Sequence, residues 1–160
     1  MKTSKAIKTN FRTKSIFILI FLIYSLSELN FSQSISDSLS MGKLKIIITG
    51  FQNNIGDCRF AIDNSEEVYE REDTVWIGKI LPIENNQVIV MIDSLKYGEY
   101  AIKVFHDENK NGELDTDFLG IPDEDYGFSN DASGWFGPPS WENAKFIFNQ
   151  PEMTIKIEVD

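Results

Sequence analysis

Between residues 107 and 117 the chain reads Asp-Glu-Asn-Lys-Asn-Gly-Glu-Leu-Asp-Thr-Asp, with side-chain oxygens recurring at alternate positions. Asp107, Asn109 and Asn111 take positions one, three and five of this run, and Gly112 takes position six. Alternation turns successive oxygens toward one centre, and the glycine permits the sharp reversal that points the next carbonyl, that of Glu113, back at the same centre. This is the first half of a calcium loop, and Asp115 follows at position nine. The second half departs from the helix-flanked form of such sites. Position 12, where a bidentate Glu belongs, is Phe118, and Asp117 one place earlier is the expected substitute. No helical pattern flanks the run. The expected cofactor is calcium, held on a β scaffold by Asp107, Asn109, Asn111, Glu113, Asp115 and Asp117. Magnesium is disfavoured because the ligands are many, hard and flexible.

The competing reading is an acidic turn in which Asp and Asn bond their own backbone. Charge weighs against it. Residues 107–125 hold eight carboxylates and one lysine, a net of −7, and such self-repulsion disfavours a compact loop unless a cation screens it. Asp123, Glu124 and Asp125 either complete the shell, form a second site or make a solvated turn, and the sequence leaves all three open.

Catalysis has less to work with. A Ser-His-acid hydrolase needs an imidazole, and His106 is the only histidine; no Gly-x-Ser-x-Gly elbow accompanies it. One His and one Cys do not furnish a zinc set. Paired carboxylates run glycoside hydrolysis in other proteins, and Asp115, Asp117, Asp123 and Asp125 offer many pairs. A general acid, however, needs a desolvated carboxyl, whereas these cluster at ligand spacing. The expectation is no enzyme, with a carbohydrate-active or other secreted hydrolase as the alternative. Trp135, Phe136 and Trp141 stand in a Gly-Pro-Pro segment beside the acidic loop. Two roles compete for them: stacking on sugar rings or on a partner's apolar patch, or covering an open end of the core. The expected partners are an envelope protein or a polysaccharide.

The elements that must position these residues are strands. Leu44–Thr49 is a β-branched run that Gly50 ends; Cys58–Ile62 is a second, and Asn53, Asn54 and Gly56 between them suit a hairpin loop. An edge-type strand is expected over 74–81, with Gly78 marking a bulge. Val88–Ile92, the alternating Glu99–Phe105, Lys145–Phe148 and Met153–Val159 complete about seven strands. Short strands with turn signals between them predict an all-β fold, an antiparallel β-sandwich. Asp107 to Trp141 breaks the rhythm, and its aromatics predict an ordered loop packed on the sandwich.

Lys2, Lys5, Lys8, Arg12 and Lys14 lead into the apolar run Ile16–Tyr24, the order of a secretory signal peptide over residues 1–34. The run is shorter than the roughly 20 residues of a spanning helix, so no stable membrane span is expected after cleavage. Residues 35–42 form a linker and 43–160 one β-sandwich domain. Without the leader the chain holds 10 basic and 24 acidic residues, a net of −14. Such a surface repels nucleic acid and anionic lipid. Cys58 is the single cysteine, so no intramolecular disulfide forms. A secreted, periplasmic or cell-envelope location is expected.

The succession Leu95-Lys96-Tyr97-Gly98-Glu99-Tyr100-Ala101-Ile102-Lys103-Val104, His106-Asp107-Glu108-Asn109-Lys110-Asn111-Gly112, Gly120-Ile121-Pro122, Tyr126-Gly127-Phe128-Ser129-Asn130 and Phe136-Gly137-Pro138-Pro139 resembles the exported bacterial family of unknown function numbered 2141, over about residues 43–160. The resemblance implies a secreted or envelope β domain and no established activity. Leu95, Gly98 and Tyr100 are also similar to the strand entry of transthyretin-like sandwiches and surface-adhesin stalks, where the Gly turns the chain and the Tyr fixes a corner. The fold expected from it is transthyretin-like or immunoglobulin-like.

Overall fold

Alternation along the first strand shows how the layers are built. In β1 (Met41–Thr49) Leu44, Ile46 and Ile48 are fully buried while their neighbours face outward. The computed structural model describes residues 40–71, 73–135 and 137–160; the expected leader over 1–34 and Phe136 lie outside them. Met41–Asp160 forms one compact unit. β1 begins three residues before the expected Leu44, inside the stretch expected to be linker, because Gly42 already pairs with Leu95.

β2 (Asp57–Asp63), β3 (Ile77–Leu81), β4 (Gln87–Lys96), β5 (Gly98–Asp107), β6 (Tyr126–Phe128), β7 (Phe146–Phe148) and β8 (Glu152–Glu158) follow, with two one-turn helices, α1 (Glu66–Tyr69) and α2 (Trp141–Ala144). One sheet has the order β4-β1-β8 and the other β3-β2-β5-β6, with β7 also on β5. The described residues form an all-β sandwich of eight strands. Its pairs are antiparallel except one: β8 runs parallel to β1, Ile46 opposite Ile155. β3 is an edge strand as expected, but Gly78 pairs with Ala61 in regular register, so it marks no bulge. The 50–56 segment is not a hairpin loop either, because β1 and β2 lie in different sheets; it carries the chain across the sandwich. Asn86 ties it to the turn before β4, donating from its backbone N to Asn54 Oδ1 at 2.8 Å and from Nδ2 to the Phe51 carbonyl at 2.7 Å.

The core fills the space between the inner faces. Leu44, Ile46 and Ile48 of β1, Val88 and Val90 of β4 and Ile157 of β8 meet Cys58, Phe60 and Ile62 of β2, Ile102 and Val104 of β5 and Phe148 of β7. The chain passes from β4 to β5 at Tyr97, and Tyr100 fixes that corner by donating its hydroxyl to the Lys96 carbonyl at 2.9 Å.

The segment expected to be a long loop holds β6, a 3₁₀ turn (Ser129–Asp131) and α2. It wraps the outer face of the five-stranded sheet and builds a second core from Tyr69, Ala101, Phe128, Trp141 and Ala144. β6 covers the edge of β5 at Lys103–Phe105 and β7 covers it at Gly98–Tyr100. Between them the Ile102 N–H donates to Ser129 Oγ at 2.8 Å, and that hydroxyl donates to the Ala144 carbonyl at 2.6 Å. One fully buried serine thus satisfies the backbone group that the gap between two strands leaves over.

Candidate cation site

β2 and β5 deliver the loop's first residue. Asp57 and Asp107 stand directly opposite each other in that pair, an arrangement of like charges that is unfavourable unless cations offset it. Two do. Arg59 Nε donates to Asp107 Oδ2 at 2.8 Å, with Nη2 at 2.7 Å from the same oxygen, and Lys110 Nζ lies 3.1 Å from Asp57 Oδ1. Asp107 is fully buried. Its Oδ1 accepts the Asn111 N–H and its Oδ2 the Gly112 N–H, both at 3.0 Å. Gly112 has φ +89, a left-handed backbone that favours glycine, and a Cβ there would stand 3.3 Å from Arg59 Nη2.

From Asp107 the loop closes on itself. Asn109 Oδ1 accepts the Asn111 N–H at 2.9 Å, and Asn111 Oδ1 accepts the Glu113 N–H at 2.8 Å. The two amide nitrogens then point at one carboxylate: Asn109 Nδ2 donates to Asp115 Oδ2 at 2.5 Å and Asn111 Nδ2 to Asp115 Oδ1 at 2.9 Å. Glu124 clamps the loop from outside the 107–117 run. It accepts the Glu108 N–H at 2.9 Å on one oxygen and the Asp115 N–H at 3.0 Å on the other.

Of the six expected ligands, Asp107, Asn109, Asn111 and Asp115 are linked in one hydrogen-bonded loop. Glu113 belongs to it through its backbone. Asp117 does not: its Oδ1 accepts the Leu119 N–H at 2.7 Å and the Ile121 N–H at 3.0 Å, committing that oxygen to the next turn. Among the described residues no three His, Cys, Asp or Glu side chains gather at metal-ligating distance. Asp115 thus faces the two amide nitrogens, while the amide oxygens of Asn109 and Asn111 accept backbone N–H groups of the loop. Asn109 and Asn111 keep a second lone pair on the amide oxygen that accepts the backbone N–H.

His106 is fully buried, edge-on to Phe51 at 5.3 Å between ring centres, with Nε2 2.6 Å from the Ile55 carbonyl. Its Nδ1 has no hydrogen-bond partner and lies 3.6 Å from Glu108 Oε1. Cys58 is buried, and desolvation pushes its thiol up to about 12.

The aromatic residues divide. Trp135 is 95% exposed. For Trp141 the two competing roles, partner binding or core cover, resolve to the second: it is 4% exposed and meets the Tyr69 ring edge-on at 5.8 Å, so it closes the second core. Arg59 was not foreseen as part of the site, whereas Glu124, one of the three acids left open between the ion shell and a solvated turn, joins the loop as an acceptor of backbone N–H groups. Nothing in the local sequence around Arg59 points to a residue 48 positions away.

No curated protein and no solved structure matches the chain. A family model described as "Uncharacterized protein conserved in bacteria" matches residues 46–156, a span that takes in the strands, the acidic loop and the second core. The chain therefore belongs to that bacterial family, DUF2141.

Proposed function

We propose that the protein is an exported, non-catalytic binding or structural module of the cell envelope, in which calcium orders the 107–117 loop. The observation that carries this reading is the convergence of Asn109 and Asn111 on Asp115, within a turn whose first residue, Asp107, is already fixed by two backbone N–H groups. To bind an ion beside Asp115 the backbone of this loop can stay in place while the two amides turn their oxygens toward it. Asp115 would exchange two amide donors for the ion, while the amide oxygens would use their second lone pairs. The net charge of −7 over 107–125 supplies the driving force.

Export is supported by the basic-then-apolar order of residues 2–24. A non-catalytic role is supported by the burial of the single histidine and by the engagement of Asp107, Asp117 and Glu124 with arginine or backbone donors. Of the two described candidates, Trp135 and Trp141, the exposed Trp135 is the one left for stacking on a sugar or an envelope protein.

Isothermal titration with calcium and with magnesium tests the ion directly. Extracellular modules hold calcium with a Kd of about 0.1–1 mM, and saturable heat in that range with a clearly weaker magnesium response is expected. No saturable heat with calcium at ten times that concentration would overturn the cation reading.

A further inference from the structure

Asn111 is the one asparagine of the chain that a glycine follows. Asparagine is a chemically labile residue, and its lability is greatest where the next residue carries no Cβ to crowd the backbone nitrogen that attacks the amide. Asn111 and Gly112 are both exposed, so water reaches them. The folded loop nevertheless holds every group such an attack uses. The Gly112 N–H, whose proton a base must remove, donates to the buried Asp107 Oδ2 at 3.0 Å. The charge of that oxygen is already met by Arg59 Nε at 2.8 Å. The amide is tethered on both sides: Nδ2 donates to Asp115 Oδ1 at 2.9 Å, and Oδ1 accepts the Glu113 N–H at 2.8 Å. The Asn111 N–H is pinned to Asp107 Oδ1 at 3.0 Å.

We propose that Asn111 is a site of spontaneous deamidation that the folded loop holds in check, and that the reaction proceeds only when the Gly112 N–H leaves Asp107. Hydroxide then takes the Gly112 proton, and the nitrogen's electron pair forms a bond to Asn111 Cγ. The Cγ–Nδ2 bond breaks, and its nitrogen leaves as ammonia with a proton from water. Water next opens the cyclic imide at either carbonyl, leaving aspartate at 111 or an isoaspartate whose backbone runs through the former side chain. Either product replaces the amide donor to Asp115 by a carboxylate and adds one negative charge to the −7 of residues 107–125. The modification thus loosens the loop in which it forms. It requires no ion in that loop.

The test holds the full chain in mildly alkaline buffer free of divalent cations, folded and, in parallel, unfolded in guanidinium chloride. Peptide mapping by mass spectrometry follows conversion at each asparagine. In the unfolded chain residue 111 is expected to convert first. In the folded chain its rate is expected to fall by at least about tenfold, the protection of an exposed turn closed by several hydrogen bonds. Hydrogen exchange at the Gly112 N–H is expected to be slowed by a similar factor, since one opening exposes that proton to both reactions. Asp115→Ser, which frees the amide, is expected to convert severalfold faster in the folded state. Equal conversion at residue 111 in folded and unfolded chains, another asparagine leading in the unfolded chain, or an unchanged folded rate in Asp115→Ser would each overturn the proposal. A Gly112 N–H that exchanges as fast as in the unfolded chain would overturn it as well.

Discussion

Arg59 Nη2 lies 2.7 Å from Oδ2 of Asp107, so the first carboxylate of the candidate calcium loop already holds an organic cation. The two residues face the same way from neighbouring strands, and the guanidinium offsets the Asp57–Asp107 opposition across β2 and β5. Arg59 thus keeps the loop assembled without metal and competes with a metal for the same carboxylate. Arg59→Met is expected to destabilise the calcium-free chain by about 2–3 kcal/mol. That is below the usual cost of breaking a buried pair, because Arg59 is 25% exposed and Asp107 keeps two backbone donors. The calcium-induced rise in stability is expected to grow in the variant. Denaturant unfolding with EDTA and with calcium measures both, and a variant that loses stability without any larger calcium response would contradict the competition.

Trp135 and Trp141 lie six residues apart in one segment and differ from 95% to 4% exposure. Trp141→Ala is expected to cost about 3–5 kcal/mol, since it empties the second core against Tyr69 and Phe128. Trp135→Ala is expected to stay within about 0.5 kcal/mol. Urea midpoints decide between this division and one in which both rings serve the fold.

Alkaline pH tests the second core from another side. Tyr69 is buried and its hydroxyl donates to the Pro139 carbonyl at 3.0 Å; burial first, and the charge of Asp63 second, push it up to about 12. A raised folded value means that its contribution to stability is complete below the ordinary value of 10.0 and is lost as pH climbs from there toward 12. The loss expected from this group is about 2 kcal/mol. Cys58, raised from 9.0 to about 12, opens the window a unit earlier with the same sign. Stability should therefore decline from pH 9 upward, and Tyr69→Phe should make the slope above pH 10 shallower, leaving the share of Cys58. A variant with an unchanged slope would show that the hydroxyl is not desolvated. A thiol reagent at pH 8 should reach Cys58 only after unfolding.

What the sequence made legible follows from what is local. β1 and β5 could be read because one face of each packs on the main core, so apolar residues recur at every second position. Strand direction has no such signature, and the parallel placement of β8 beside β1 appears only when the sheet is assembled. Asn53, Asn54 and Gly56 suit a tight turn in either role, and only the separation of β1 from β2 into two sheets makes their segment a crossover. β6 escaped notice because three residues are too few for a period to show. In the site, Asp107, Asn109, Asn111 and Asp115, which alternation groups, are linked by hydrogen bonds. Asp117 stands apart from that group, since its Oδ1 accepts the N–H groups of the next turn, a local role that competes with ligation. Glu124 reaches the loop through the turn at 117–121, a geometry that spacing alone does not encode.

Thermal unfolding with EDTA and with millimolar calcium, of the native chain and of Asn109→Ala with Asp115→Ala, tests the central claim most directly. Asp107 is left intact because its buried carboxylate supports the fold with or without metal. With a Kd near 10 µM, millimolar calcium adds about 2.7 kcal/mol, and a shift of about 5 °C or more is expected at this size. The weaker Kd of about 0.1–1 mM gives a smaller shift of the same sign. A rise in the native chain that the double variant lacks is expected if calcium orders the loop. No rise in the native chain, or an equal rise in both, would contradict it.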